Sequence, residues 1–368
     1  MVTIKPQQYE ELLRKFLTIP VSNPNAPLRG LLIIGAAGIG KTTIAKQIAS
    51  ELDFHISEVF FGNMADPGDA RGLPIQKDGS TGWLISEEFK IPEGQPTVLL
   101  LDEITRAPVY LHSLIATLMT SNSIAPGHYL DPRYVRVVAT GNPWTDESYS
   151  VNELDLAIRS RFTTYELAAD WNQWYGWVIR QIQAFEDENR KQRAADLAAI
   201  VVNTPELVSD EKNPRSWWWA IEEASCVDFQ DPIFALLLDG RISGASGVVM
   251  GMLEKGTSIP TRSDMYKDPE GSAARIEELP TELQSWGIRR VAAVAVEDPD
   301  EERLDPLYAK LFVSDKLTPE LLEAFIDLLP PTIRSRITQK DVSILRKLSE
   351  ISLEWQEKMR SWLEGMEE

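Results

Sequence analysis

Gly30-Leu-Leu-Ile-Ile-Gly35-Ala-Ala-Gly38-Ile-Gly40-Lys41-Thr42-Thr43 is the stretch of sequence that decides the fold. It begins with an apolar run flanked by glycine, which is typical of a buried parallel strand. A glycine-rich turn follows and opens a predicted helix over residues 41–52. Glycines in such a turn let backbone N–H groups point at phosphate oxygens, helped by the positive end of the helix dipole. The stretch therefore predicts a strand, a phosphate-binding loop and a helix in succession.

The turn matches the P-loop pattern, and a strand before it and a helix after it are the context that this motif requires. Lys41 is expected to reach the β- and γ-phosphates of a nucleotide, and the hydroxyl of Thr42 is expected to bind Mg²⁺. The residues expected to contact the nucleotide are Gly35, Ala36, Ala37, Gly38, Ile39, Gly40, Lys41, Thr42 and Thr43.

A second apolar run, residues 98–101, ends in the carboxylates of Asp102 and Glu103. Ligands of open α/β sheets bind at the carboxyl ends of the strands. Asp102 is therefore expected to hold Mg²⁺ together with Thr42, and Glu103 to polarise the water that attacks the γ-phosphate. ATP and Mg²⁺ are the cofactors that these two motifs predict.

Strand and helix patterns alternate through the first part of the chain. Further buried strands are predicted at 58–61 and 135–140, and a helix at 110–119. This alternation predicts an α/β P-loop domain of three layers with a parallel central sheet.

The predicted domain boundaries follow from where the strand signals stop. Residues 1–168 form the predicted nucleotide-binding α/β domain, and residues 169–257 an α-helical lid. Residues 258–368 are predicted as a linker and a mainly helical C-terminal region. In this last part, 260–280 is expected to be an extended linker and 317–367 amphipathic helix.

Composition limits the classes of function. The formal net charge of -19 weakens the case for a large exposed nucleic-acid surface, because phosphate binding needs clustered Lys and Arg. No apolar run reaches the roughly 18 residues of a membrane span, and the N-terminus lacks the layout of a secretory signal. The single cysteine, Cys226, is expected in the core and fits a reducing, cytoplasmic location.

With both motifs placed, the chain resembles the AAA+ ATPases, most closely the MoxR-like branch, over about residues 20–253. Asn142, just after the strand 135–140, is similar to the sensor-1 residue of that family, which implies that it orients the attacking water. Asn213-Pro214-Arg215-Ser216 resembles the sensor-2 signature that opens a lid helix. The resemblance implies that Arg215 contacts the nucleotide from the lid.

Residues 157–162 look like the arginine-finger segment of the same family. There, an arginine of one subunit reaches into the active site of its neighbour. Arg161 matches best and Arg159 is the reserve, with an ordinary surface cation as the alternative for either. Residues 66–74 resemble the loop that faces the ring pore. Trp83 or Phe89 is a candidate to touch a partner, with a purely structural role as the alternative.

The resemblance implies an ATPase that forms a homo-oligomer, a hexameric ring, and remodels a protein client or adaptor, often a von Willebrand A-type partner. A nucleic-acid motor or restriction-type NTPase is the alternative, motivated by Lys77, Arg133 and Arg136. The acidic net charge counts against it. A scaffold that binds nucleotide without hydrolysing it is a third possibility, against which the intact Lys41, Asp102 and Glu103 argue.

Overall fold

The structure, a computed structural model, describes residues 1–340 except 65, 78, 146–148 and 210. The chain divides into two compact units. The first comprises Met1–Asp170 together with Asn213–Arg215, and the second comprises Trp171–Lys212 and the described residues from Ser216 to Lys340. Each unit encloses apolar cores of its own, as expected of separate folding units.

The first unit contains all the strands of the described part of the chain. In chain order they are β1 (Val2–Ile4), β2 (Gly30–Ile34), β3 (His55–Phe60), β4 (Leu73–Lys77), β5 (Ser80–Leu84), β6 (Thr97–Asp102), β7 (Ser123–Ala125), β8 (His128–Tyr129), β9 (Val135–Gly141) and β10 (Phe162–Leu167). Six of them form one sheet in the order β1-β10-β2-β9-β6-β3, and every neighbouring pair runs parallel. The pairs β4–β5 and β7–β8 are antiparallel hairpins.

Helices cover both faces of this sheet. They are α1 (Pro6–Thr18), α2 (Lys41–Glu51), α3 (Pro67–Arg71), α4 (His112–Ser121) and α5 (Leu156–Arg159). Side chains of β2 alternate between two apolar cores, because successive residues of a strand point to opposite faces. Leu32 and Ile34 join the core that contains α4, whereas Leu31 and Ile33 join the core that contains α1 and α2. The predicted three-layer α/β fold with a parallel central sheet is confirmed.

Two strands of the sheet, β1 and β10, have weak signals in the sequence. β1 is only three residues long and lies at the edge of the sheet. β10 buries Phe162 and Leu167 at its ends, while the polar residues between them are exposed or half-buried. A strand with so little continuous apolar sequence does not stand out from its flanks.

The second unit is helical throughout its described residues. Its helices are α6 (Trp171–Gln181), α7 (Glu188–Asn203), α8 (Pro214–Ala224), α9 (Pro232–Arg241), α10 (Ala245–Lys255), α11 (Arg262–Lys267), α12 (Pro269–Glu277), α13 (Thr281–Glu297), α14 (Asp305–Phe312), α15 (Pro319–Leu328) and α16 (Pro331–Lys340). The first two residues of α8 are grouped with the first unit. The part of the predicted helix 317–367 that follows Lys340 lies outside the described residues. None of the described helices is long and apolar enough to cross a membrane.

The prediction of an extended linker at 260–280 is wrong. The side chain of Thr261 caps α11, and the side chain of Asp268 caps α12, whose first residue is Pro269. Proline at the first position of a helix starts it, because the N–H that proline lacks has no partner there in any case. Ala273 and Ile276 of α12 are fully buried in the core of the second unit.

The placement of Cys226 in the core is also wrong. α8 ends at Ala224, and Cys226 lies beyond it with its side chain exposed. Burial on that helix falls on Trp217, Ala220, Ile221 and Ala224, whose spacing defines one helical face.

Candidate active site

Lys41 is the first residue of α2 and is almost fully buried, with 8% of its surface exposed. Its Nζ donates to the carbonyl oxygens of Gly35 and Ala36, each at 2.7 Å, and to Oδ1 of Asn142 at 3.1 Å. Burial lowers the pKa of Lys41 to about 8, and the charge of Arg215 adds to the effect, while the carboxylates of Asp102 and Glu103 oppose it. Because burial destabilises the charged form of Lys41, an anionic ligand beside it would be favoured.

The loop that carries Lys41 depends on glycine at Gly38. Its φ is +74°, and a Cβ at this position would lie 2.3 Å from Oδ1 of Asn213. The backbone N–H of Arg215 donates to the carbonyl oxygen of Gly38 at 3.2 Å. The structure thus places the segment of Arg215 against the phosphate loop, with the Arg215 side chain exposed.

Asp102 stands at the end of β6, where its Oδ1 collects donors from three elements. The hydroxyl of Thr42 donates to it at 2.8 Å and the backbone N–H of Glu103 at 3.1 Å. The hydroxyl of Thr140 on β9 makes a third, short hydrogen bond. Thr42 and Asp102, the two expected Mg²⁺ ligands, are therefore in direct contact.

Glu103 follows with a left-handed backbone, φ 53°, at the start of a 3₁₀ turn. Its carboxylate is about 29% exposed, and Oε2 lies 3.0 Å from Nε of Arg106. That oxygen is itself buried and receives no aligned hydrogen bond, so the contact with Arg106 is an ion pair only. The carboxylate keeps its capacity to accept a proton or a water hydrogen.

Asn142 lies one residue beyond β9, with 6% of its surface exposed. Its backbone N–H donates to the hydroxyl of Thr105 at 3.0 Å, in the turn that follows Glu103. Its side chain accepts from Lys41. The structure therefore brings Asn142, Lys41, Thr42 and Asp102 together at the carboxyl ends of β2, β6 and β9.

The two candidate finger arginines are bound elsewhere. Nε of Arg161 donates to the hydroxyl of Thr120 at 2.6 Å, and one terminal nitrogen makes a short bond to the carbonyl oxygen of Ala157. Arg159 lies 3.3 Å from a carboxylate oxygen of Glu153 and stacks over the ring of Trp144. Among the described residues, neither arginine bonds to the phosphate loop of its own chain.

Two residues of this site belong to none of the sequence motifs described above. Thr140 holds Asp102, and the hydroxyl oxygen of Tyr149 accepts a hydrogen bond from the backbone N–H of Ala37 at 3.1 Å. The contact of Thr140 with Asp102 depends on the register of β6 and β9, in which Leu101 pairs with Ala139. No signal in the sequence points from Tyr149 to Ala37.

Two expectations about partner contacts are wrong. Phe89 is 2% exposed and packs in the apolar core, so it cannot touch a partner, whereas Trp83 is half-buried on β5. Arg136 is 4% exposed, and its guanidinium donates to the carbonyl oxygens of Pro132 at 2.8 Å and Ile19 at 2.6 Å. Arg136 therefore links β9 to two loops by hydrogen bonds, and its buried charge is not accessible to a nucleic acid.

The donor set fits a magnesium-bound nucleotide. Among the described residues no group of three His, Cys, Asp or Glu side chains could hold a metal alone. One hydroxyl, Thr42, and one carboxylate, Asp102, stand beside a buried ammonium. Mg²⁺ is typically held by one or two protein oxygens, substrate phosphates and water. Strand, glycine loop, helix and acidic strand end together define a P-loop nucleotide-binding domain.

Residues 30–163 match the family model described as "ATPase family associated with various cellular activities (AAA)". The matched range includes the phosphate loop, Asp102 and Asn142. Lon protease 2 of Sorangium cellulosum is 30% identical over 124 residues, which are 31% of this chain and 15% of that protein. A Lon protease of Leptospira interrogans is 26% identical over 148 residues, or 38% of this chain and 18% of that protein. The chain thus spans under a fifth of these curated relatives.

A crystal structure of NtrX from Brucella abortus in complex with ADP has a TM-score of 0.41 at 14% identity, covering 92% of this chain and 68% of that one. RuvB of Thermotoga maritima has a TM-score of 0.37 at 16% identity, covering 84% and 88%. At these TM-scores the likeness adds nothing to what the strand order already establishes.

Proposed function

We propose that the chain is a MoxR-like AAA+ ATPase that hydrolyses Mg-ATP in a ring oligomer and remodels a protein client or adaptor. The 2.8 Å contact between Thr42 and Asp102 carries the proposal. This contact brings together residues of two motifs that lie 60 residues apart in the chain, so that one Mg²⁺ could bind the oxygens of Thr42 and Asp102.

Each residue of the site has a role in phosphoryl transfer to water. Lys41 neutralises the β- and γ-phosphates, and Thr42 with Asp102 holds Mg²⁺, which when bound lowers the charge of the phosphates. Glu103 accepts a hydrogen from the attacking water and fixes its direction. Asn142 keeps Lys41 in place and offers its amide to the same water. Such positioned charges are most of what this reaction needs.

The resemblance of residues 157–162 to an arginine-finger segment supports the ring. Arg161, with Arg159 as the reserve, would complete the site of a neighbouring subunit. The side chain of Arg215, on α8, would contact the nucleotide, since the backbone N–H of Arg215 bonds to Gly38 of the phosphate loop. A hexamer is the closed ring that the MoxR-like resemblance implies.

The client is proposed as a protein, through an adaptor of the von Willebrand A type, and the location as the cytoplasm. The resemblance supports the adaptor, and an exposed Cys226 is compatible with a reducing compartment. The burial of Arg136 removes one of the cations that motivated a nucleic-acid motor.

The test is phosphate release from Mg-ATP by the wild type, Glu103→Gln and the control Glu93→Gln, which changes an exposed glutamate in a turn. Loss of the base is expected to lower turnover by about 100-fold or more, with the control unchanged. Mass photometry with ATP is expected to show a ring for wild type and Glu103→Gln alike. Equal turnover in all three proteins, or none in the wild type with any partner added, would contradict the proposal.

A further inference from the structure

The peptide unit between Ala36 and Ala37 is held at both ends. Its carbonyl oxygen accepts from Nζ of Lys41 at 2.7 Å, and its N–H donates to the hydroxyl oxygen of Tyr149 at 3.1 Å. A trans peptide is planar, so its C=O and N–H point in opposite directions. Lys41 and Tyr149 therefore lie at opposite edges of one peptide unit, and a rotation of that unit about the chain direction would break both bonds.

Tyr149 comes from a distant part of the chain. It lies 112 residues after Ala37 and begins a short segment, residues 149–155, that is anchored at two further points. The backbone N–H of Asn152 donates to the carbonyl oxygen of Thr105 at 2.6 Å, and its side-chain amide donates to the carbonyl oxygen of Ala107 at 3.1 Å. The segment thus bonds to the turn that follows Glu103 as well as to the phosphate loop.

The same segment leads directly into α5. The carboxylate of Asp155 caps this helix by accepting from the N–H of Ile158 at 2.7 Å. Arg159 is the last residue of α5. The covalent segment 149–155 therefore connects α5 to the phosphate loop, to which Tyr149 bonds, and to the turn after Glu103, to which Asn152 bonds.

We propose that Tyr149 is a positioning residue for phosphate binding, which fixes Lys41 through the Ala36–Ala37 peptide and links the phosphate loop to α5. The proposal rests on the proposed nucleotide site. Gly38, the next residue of the loop, has no Cβ and therefore does not by itself fix the orientation of the neighbouring peptide. Without the hydroxyl of Tyr149, one end of the peptide is released and Lys41 loses a fixed acceptor.

Tyr149→Phe tests the proposal, because it removes the hydroxyl and keeps the ring. Tyr129→Phe is the matched control, since Tyr129 is 68% exposed on the β7–β8 hairpin. ADP binding is measured by calorimetry in EDTA, and amide exchange is followed by mass spectrometry with and without ADP. We expect Tyr149→Phe to raise the Kd for ADP about five- to tenfold, the effect of one lost hydrogen bond.

Amide exchange separates positioning from packing. In Tyr149→Phe, we expect faster exchange in the phosphate loop and loss of the protection that ADP confers on residues 151–161. If the aromatic ring of Tyr149 only fills space, Tyr149→Phe would leave the exchange of the phosphate loop and the protection of residues 151–161 unchanged. ADP binding within twofold of wild type, with the same protection of 151–161, overturns the proposal. If Lys41→Ala binds ADP as well as wild type does, the nucleotide site itself is wrong and the proposal falls with it.

Discussion

Nζ of Lys41 lies 3.1 Å from Oδ1 of Asn142, so a hydrogen bond connects the phosphate loop to the residue after β9 at the carboxyl ends of the strands. The bond connects the two strands that flank each other in the sheet, β2 and β9. In the proposed reaction, Asn142 would therefore act in two ways, through the position of Lys41 and through its own amide.

Asn142→Ala is expected to lower kcat for ATP hydrolysis about 100- to 1,000-fold, the range for removing one hydrogen-bond donor that stabilises a transition state. The Kd for Mg-ATP should change by less than about fivefold, because Lys41 keeps two carbonyl acceptors. Turnover and equilibrium binding of a fluorescent ATP analogue measure the two quantities. Asn25→Ala changes an exposed asparagine and serves as the control. A large loss of affinity with unchanged kcat would assign Asn142 to binding alone.

The depressed pKa of Lys41 predicts that ADP binding depends on pH. Burial holds this pKa at about 8, well below that of a free lysine, and an anionic phosphate will raise it again. Binding must therefore take up a proton above pH 8, and the affinity should fall up to about tenfold per pH unit there.

Calorimetry of ADP binding in EDTA, in buffers of different ionisation enthalpy, measures that proton uptake directly. Lys41→Arg is the matched variant, because arginine stays charged throughout this range. Its affinity is expected to be independent of pH between about 7 and 10. A wild-type affinity that is flat across the same range would show that Lys41 stays protonated in the free protein.

Gly38→Ala is expected to weaken ADP binding more than about 10-fold, because the new Cβ would overlap the side chain of Asn213 and displace the loop. Gly127→Ala provides a matched control. Gly127 has a similar φ of +84° but nothing within 4 Å of the Cβ position. Both substitutions therefore carry the same kind of backbone strain, and only Gly38→Ala carries the clash. Equal effects on ADP affinity would show that the loss is not specific to the phosphate loop and would contradict the prediction.

A buried ion pair stabilises the second unit. Oδ1 of Asp196 accepts from Arg290 at 2.8 Å and 3.0 Å and from Nε1 of Trp286 at 2.9 Å, with Asp196 and Arg290 each less than a tenth exposed. Asp196→Ala should lower the free energy of unfolding by about 3–5 kcal/mol, because it leaves a buried guanidinium unpaired. Glu223→Ala removes the partner of Arg241 in an exposed pair and should cost under about 1 kcal/mol. Urea unfolding followed by tryptophan fluorescence compares them.

The parts of the site that the sequence predicts are the local ones. Gly35 to Thr43 and the pair Asp102–Glu103 are recognisable because strand, turn and helix follow one another within a few residues. Thr140 and Tyr149 are not, because their contacts depend on the register of two parallel strands and on a hydrogen bond that closes over 112 residues.

The errors have physical causes of the same kind. Prolines near 260–280 suggest an extended linker, yet Pro269 begins α12, because proline is tolerated at the first position of a helix. Arg136 is a charged residue on a central strand, and only the structure shows the carbonyl oxygens that satisfy it there. Local composition does not reveal whether a buried partner is present.

The arginine finger can be tested by mixing two inactive variants. If Arg161 acts on the neighbouring subunit, Arg161→Ala and Glu103→Gln should each hydrolyse ATP about 100-fold or more slowly than wild type. In a mixed ring, some interfaces join a subunit with intact Glu103 to a neighbour with intact Arg161. Mixing equal amounts should therefore restore a fraction of wild-type turnover that neither variant has alone.

Arg159→Ala in place of Arg161→Ala decides between the two arginines. Arg161 bonds to Thr120 and Ala157 of its own chain, and Arg159 pairs with Glu153, so either substitution removes comparable local contacts. Loss of stability alone would slow both variants without any gain on mixing. Restoration with Arg161→Ala only identifies Arg161 as the finger, and restoration with Arg159→Ala only identifies Arg159. No restoration with either would place both arginines in local packing, because an arginine that acts in trans must complement when the neighbour supplies it.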